Sequence, residues 1–199
     1  MITFSLWSAL IVYYFIMFAT PGPNNAMLTA SGIKFGYIKT LPHLIGIPLG
    51  HFLQIILVSY GLGNIFLKLP SLHFYMKILC FIYLLYLSWK MLGSFSIVKK
   101  ESGRPLRLYE ASLFQFINPK AWTVAITAVA GFFPLEESFF KATMFLALTA
   151  PFICFPSISL WALFGSTLRI FVNNEKAKKI IEYILALLLI LTALFILIK

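Results

Sequence analysis

Apolar residues run in long blocks along this chain, and polar residues are confined to short gaps between them. The first block covers residues 3–20 and stops at Pro21-Gly22-Pro23-Asn24-Asn25. A weaker apolar piece, 26–33, follows and ends near Lys34. Further blocks cover 41–66, 72–92, 111–133, 140–164 and 183–198. Blocks of about 20 apolar residues match the hydrocarbon thickness of a bilayer. The pattern predicts an all-α integral membrane protein of about six transmembrane helices, a single domain over 1–199. The one hydrophilic loop of any length is 93–110, with Lys99, Lys100, Arg104 and Arg107. Residues 1–33 carry no Lys, Arg, Asp, Glu or His, so the start reads as a retained first helix rather than a cleaved signal.

Composition sharpens this picture. Apolar residues make up 61% of the chain and charged ones 11%, against about 25% charged in a soluble domain. The net charge of +10 does not indicate nucleic acid, because the basic residues lie in gaps between apolar blocks, the pattern of cytoplasmic loops. With six spans, loops 1–2, 3–4 and 5–6 hold eleven Lys and Arg and the other side holds four, with Lys120 set aside as intramembrane. That excess places the three odd loops in the cytoplasm and both termini outside. Cys80 and Cys154 sit in apolar blocks and read as small buried hydrophobes. No metal cluster, cofactor motif or catalytic constellation is visible, so the chain does not read as an enzyme.

Pro23 and Pro119 lie 96 residues apart, near half the chain. Each opens a polar knot inside apolar sequence, and each is followed by two further spans. The chain therefore divides into half-repeats of about 1–92 and 111–199. Three helices per half would orient the halves oppositely, the inverted plan of many secondary transporters.

Three constellations can carry chemistry. In Thr20-Pro21-Gly22-Pro23-Asn24-Asn25 the prolines remove donors and disfavour helix before them, so the first helix breaks. Unpaired backbone at membrane depth persists only beside protein or water. Amides after Pro23 would suit an anion, and Asn24 and Asn25 could read an ammonium or hydroxyl; the plain alternative is a turn ending the helix. In Gln115-Phe116-Ile117-Asn118-Pro119-Lys120, a lysine inside a span must snorkel, pair or face water. The chain has no Asp, and its Glu residues fall outside the blocks or at their ends, so Lys120 either snorkels or meets an anionic ligand; Asn118-Pro119 predicts a second broken helix at Asn118–Lys120, which favours the ligand. In the second span, His43 and His51 lie roughly 12 Å apart along a helix, too far to share a metal. Either could carry a proton or simply be hydrogen-bonded. Gln54 and Gln115 are candidates to line a pore. Gly32, Gly36, Gly46 and Gly50 suit close helix packing, and Pro48, Pro151 and Pro156 would kink their helices.

The stretches Thr20-Pro-Gly-Pro-Asn-Asn-Ala-Met-Leu-Thr-Ala-Ser-Gly32, Phe35-Gly36, Thr40-Leu-Pro-His-Leu-Ile-Gly-Ile47 and Gln115-Phe-Ile-Asn-Pro-Lys-Ala-Trp122 resemble the LysE/RhtB family of bacterial amino-acid exporters. The resemblance covers essentially the whole chain. The Pro-Asn-Asn and Leu-Pro-His variants are most similar to the branch exporting cysteine and O-acetylserine, with homoserine/threonine-like substrates the other option. It implies proton-driven efflux of small zwitterionic amino acids or derivatives across the bacterial inner membrane. It places substrate at Pro21, Gly22, Pro23, Asn24, Asn25, Asn118, Pro119 and Lys120, with His43 or His51 coupling the proton. Some family members carry an acid directly after Pro-Gly-Pro; here that position is Asn24. The partners expected are the solute and the lipid bilayer, with homo-oligomerisation left open. The rival classes are a thiol–disulfide electron carrier, requiring Cys80 and Cys154 to meet, and a non-transporting scaffold.

Overall fold

The computed structural model describes residues 2–92, 103–169 and 175–198. Most of loop 93–110, including Lys99 and Lys100, the start of the charged segment at Asn173 and the terminal Lys199 lie outside the described residues. The described residues are helical almost throughout, with no strand among them.

Helix α1 (Phe4–Ala19) starts behind Thr3, whose hydroxyl accepts from the Leu6 amide at 3.2 Å. The two prolines stop it as expected. The stop is shorter than predicted: only Thr20, Pro21 and Gly22 leave the helix, and α2 (Pro23–Phe35) begins at the second proline. Proline at the first helical position costs nothing, because that amide has no intrahelical partner. The two axes meet at 58°. Gly36, at φ +81, turns the chain into α3 (Tyr37–Leu57); a side chain there would be strained. A π-turn (Val58–Leu62) and short α4 (Gly63–Lys68) extend α3. Then come α5 (Pro70–Met91), α6 (Leu108–Ile117), α7 (Pro119–Phe132), α8 (Phe139–Leu168) and α9 (Glu175–Ile198). The fourth apolar block is thus two helices, interrupted at Asn118 alone, with Pro119 and Lys120 already in α7.

Helices α3 and α8 pack on each other at the centre. Around them the pairings come in matching sets: α2 on α8 and α3 on α7, α3 on α6 and α1 on α8, α2 on α9 and α5 on α7, with α5 against α9. Missing side chains allow the closest approaches. A Cβ on Gly32 would collide with the Ala162 carbonyl of α8, and one on Gly46 with the Leu108 carbonyl of α6. Cross-helix hydrogen bonds pin these contacts: Ser112 donates to the Gly46 carbonyl at 2.8 Å, and Ser31 and Thr40 share a bond at 2.9 Å.

Many of the largest exposed side chains are apolar, among them Phe74, Phe152 and Phe195. Such a surface suits lipid rather than water. Two helical runs, Tyr37–Leu62 and Phe139–Leu168, are long and apolar enough to cross a membrane, and the bent pair Phe4–Ala19 plus Pro23–Phe35 makes a third. Phe74–Trp89 and Glu182–Leu197 are shorter apolar stretches. The protein is therefore a multi-pass helical membrane protein. α9 begins earlier than the apolar block, so Glu182 lies inside a helix, only 6% exposed, rather than at its edge.

Candidate functional site

The two helix breaks meet. Where α1 ends, the five carbonyls of residues 17–21 lose their helical partners: residues 21 and 23 are prolines, residue 22 is the cap, and residues 24 and 25 belong to the next helix, and the Met17 carbonyl takes the Thr20 hydroxyl at 3.0 Å. Each finds a side chain instead. Asn25 Nδ2 donates to the Phe18 carbonyl at 2.8 Å and the Thr20 carbonyl at 2.7 Å. Trp161 Nε1, on α8, donates to the Ala19 carbonyl at 3.1 Å; that carbonyl would otherwise face the nitrogen of Pro23. Lys120 Nζ, from α7, donates to the Thr20 carbonyl (2.8 Å), the Thr20 hydroxyl (2.9 Å) and the Pro21 carbonyl (3.2 Å). A cation at a helix C-terminus also meets the negative end of the dipole. Lys120 thus clasps the broken end of α1.

The second break is finished differently. Asn118 Oδ1 accepts from the Lys120 amide at 3.1 Å, a side-chain N-cap. Pro119 leaves the Gln115 carbonyl without its usual donor, and Gln54 Nε2 reaches over from α3 to supply one at 2.9 Å. Trp122 Nε1 takes the Phe116 carbonyl at 3.0 Å. Between the two breaks, Asn24 and Gln115 form a reciprocal amide pair, with Asn24 Nδ2 donating at 2.8 Å and Gln115 Nε2 donating back at 3.2 Å.

A cavity opens at this junction. It is small, with room for about one water as it stands. Gly22, Pro23, Asn24, Asn25, His51, Asn118 and Lys120 supply its polar wall, and Met17, Phe18, Ala121, Val124 and Ile158 the apolar remainder. The His51 ring stands edge-on to Phe18, 5.0 Å between centroids, with Nδ1 buried and unpartnered.

Of the residues singled out from sequence, six line this cavity together with His51, if Asn118 and Lys120 are counted with the Gly22–Asn25 run. Pro21 contributes only its carbonyl, and Pro119 only the missing donor. Gln54 and Gln115 are buried and do not line this cavity; Gln54 holds the Gln115 carbonyl, and Gln115 pairs with Asn24. His43 lies elsewhere on α3, 1% exposed, with neither ring nitrogen bonded. Trp161 and the apolar lining were not singled out. A signal for Trp161 exists: proline at 23 orphans the carbonyl at 19, so a donor from another helix is required. Cys80 and Cys154 are both free and buried, in separate packed clusters. Among the described residues no group of His, Cys, Asp or Glu could hold a metal.

A multi-pass helical protein with a polar cavity between two helix breaks falls in the class of membrane translocators. The chain belongs to the LysE type translocator family, whose profile matches residues 15–199. It is 29% identical over 128 residues to a cysteine/O-acetylserine efflux protein of Salmonella paratyphi A, covering 64% of this chain and 65% of the relative. It is 29% identical over 132 residues to the cysteine/O-acetylserine efflux protein of Escherichia coli strain K12, covering 64% and 66%. The chain thus spans slightly under two thirds of the first relative's length. No solved structure matches it.

Proposed function

We propose that the protein is a secondary exporter of small amino acids or their derivatives, cysteine/O-acetylserine-like or homoserine/threonine-like, working across the bacterial inner membrane by proton antiport. The observation that carries this reading is the cavity where both helix breaks converge, with Lys120 in its wall. The relatives' names support the solute class. In this reading α1–α2, α3, α5, α6–α7, α8 and α9 are the six spans, and both termini lie outside. The matched helix pairings support two inverted halves, about 1–92 and 111–199, that rock against each other. The solute carboxylate seats on the amides behind Pro23, in the field of Lys120. His51 carries the proton within the site, with His43 the second candidate further along α3.

Efflux from cells and from proteoliposomes tests this. Asn24→Ala and Lys120→Ala should cut export of the transported amino acid by at least about tenfold, 1.4 kcal/mol at the transition state, while the protein still inserts and purifies folded. Normal export by both variants would show that the solute passes elsewhere.

A further inference from the structure

Lys120 is held by neutral oxygens alone. Its Nζ donates to the Thr20 carbonyl at 2.8 Å, the Thr20 hydroxyl at 2.9 Å and the Pro21 carbonyl at 3.2 Å. A primary ammonium has three N–H donors, and these three oxygens take one each. All three sit at the C-terminal end of α1, where the helix dipole is negative. The cavity lining contains no Asp or Glu, so the lysine has no counter-ion in that wall. The three oxygens form a cradle for a primary ammonium, and the chain fills it with one of its own.

A place for an anion lies on the other side of Gly22. The amides of Asn24 and Asn25 open α2 with no side-chain cap, and first-turn amides have no partner within their own helix. Only Gly22 and Pro23 separate them in sequence from the Pro21 carbonyl. A Cβ on Gly22 would lie 2.9 Å from Lys120 Cδ and 3.3 Å from Nζ, so the lysine stem lies across the break between the two helix ends. The cavity beside it has room for about one water. An amino acid does not fit while that stem stays in place. Withdrawing it clears the space and the cradle together.

The geometry points to a displacement: the α-ammonium of the solute replaces the ammonium of Lys120 in the Thr20–Pro21 cradle, and Lys120 moves onto the solute carboxylate. This rests on the reading of the cavity as the solute site, and assigns its ammonium subsite. The Thr20 and Pro21 oxygens that Lys120 releases receive the incoming N–H groups. The carboxylate that lands on the Asn24 and Asn25 amides gives Lys120 the anion it lacks. A solute without an α-amine strips the cradle bare at a desolvation cost, or leaves Lys120 in place and the cavity filled. A solute without a carboxylate gives Lys120 nowhere to go. The site therefore takes the zwitterion and refuses either half alone.

Cysteine, O-acetylserine, homoserine and threonine test it, each beside its analogue without the amine and its analogue without the carboxylate. For cysteine these are 3-mercaptopropionate and cysteamine. Binding to the purified full-length protein is read by ligand-induced thermal stabilisation. At least one of the four should bind at least about tenfold more tightly than both of its analogues. Lys120→Ala leaves the cradle vacant. It should melt below the unaltered chain, and ethylammonium should raise its melting temperature, binding at least about tenfold more tightly than to the unaltered chain. Tetramethylammonium, which has no N–H, should not. Equal binding of an analogue without the amine, binding of none of the four, or a folded Lys120→Ala indifferent to ethylammonium overturns the proposal. Where Lys120→Ala does not fold, the analogues on the unaltered protein decide, together with Thr20→Val. Loss of that one cradle oxygen should weaken the bound amino acid by about fivefold, Thr20→Ser should restore it, and an undiminished affinity in Thr20→Val overturns the proposal. Vesicle efflux run in parallel separates the two readings. Export of an amino acid and of its analogue without the amine at equal rates keeps the exporter and removes the ammonium cradle; amine-dependent binding without export does the reverse.

Discussion

At the first break the helix restarts behind Gly22; at the second it restarts behind Asn118. Both new helices carry proline at their first position, so both breaks arise from the same loss of a backbone donor. The residue in front of the proline makes them different. Asn118 folds its side chain over the start of α7 and satisfies the amide of Lys120. Gly22 has nothing to fold, and the start of α2 stays open to the cavity. The first break also bends the chain by 58°. Support runs between them: Lys120 from the second break and Trp161 from α8 hold the carbonyls of the first, and Gln54 from α3 holds a carbonyl of the second. On the proposed reading the first break seats the solute, and the second supplies the cation and is braced to hold it there.

The largest expected effect comes from making the first break resemble the second. Gly22 is extended, at φ 177, so any residue can adopt its backbone. A Cβ there would lie 2.9 Å from Lys120 Cδ, the movable part of a flexible side chain. Gly22→Asn should therefore fold. Its side chain would cap the Asn24 and Asn25 amides and enter the cavity, and asparagine is among the preferred caps. Export should fall by at least about tenfold while thermal stability holds or rises. Export at the normal rate would mean that open amides at the start of α2 play no part in binding.

A smaller effect is expected from unbracing the second break. Gln54→Leu removes the donor to the Gln115 carbonyl, leaving it the longer bond from the Asn118 amide at 3.2 Å. The loss should be about 1 kcal/mol of stability, read as a lowered melting temperature in detergent. Ligand affinity should change less than it does in Gly22→Asn. An equal loss of affinity would show that the brace, and not only the open amides, sets the site.

The helical blocks and both breaks were legible in the sequence, because apolar runs fix burial and proline removes donors whatever the surroundings. The start of α9 was not, since its first turns are polar and carry no apolar period. The π-turn after α3 was not read either, although Gly61, at φ +99, is the local residue that permits it. Lys120, Asn24 and Asn25 stood out in the sequence, since polar side chains in hydrocarbon require a reason, and the structure brings them to one cavity. Their partners did not. That Gln54 holds the Gln115 carbonyl and Gln115 pairs with Asn24 could not be read, because a polar residue in a span looks the same whatever it faces. Met17, Phe18, Val124 and Ile158 look like any core residue, and only the fold puts them against the cavity.

The smallest effect lies at the outer end of the second broken rod, and it separates support from site. Glu110, at the start of α6, takes two 2.6 Å bonds from the Arg104 guanidinium and one of 2.8 Å from the Arg107 amide. The guanidinium first, then that amide, hold its carboxyl down at about 2. A carboxyl lowered by folding stabilises the folded state above its unfolded value near 4.5, and the contribution fades as pH falls toward 2. The pair is partly exposed, so the contribution is at most about 1 kcal/mol. Melting curves between about pH 6 and pH 3 should fall less steeply for Glu110→Gln than for the unaltered chain. Ligand binding near neutral pH should be the same in both, because Glu110 secures the rod and touches nothing in the cavity. A binding defect in Glu110→Gln would mean that the far end of α6 reaches the site through Gln115, and the division between a braced break and an open one would not hold.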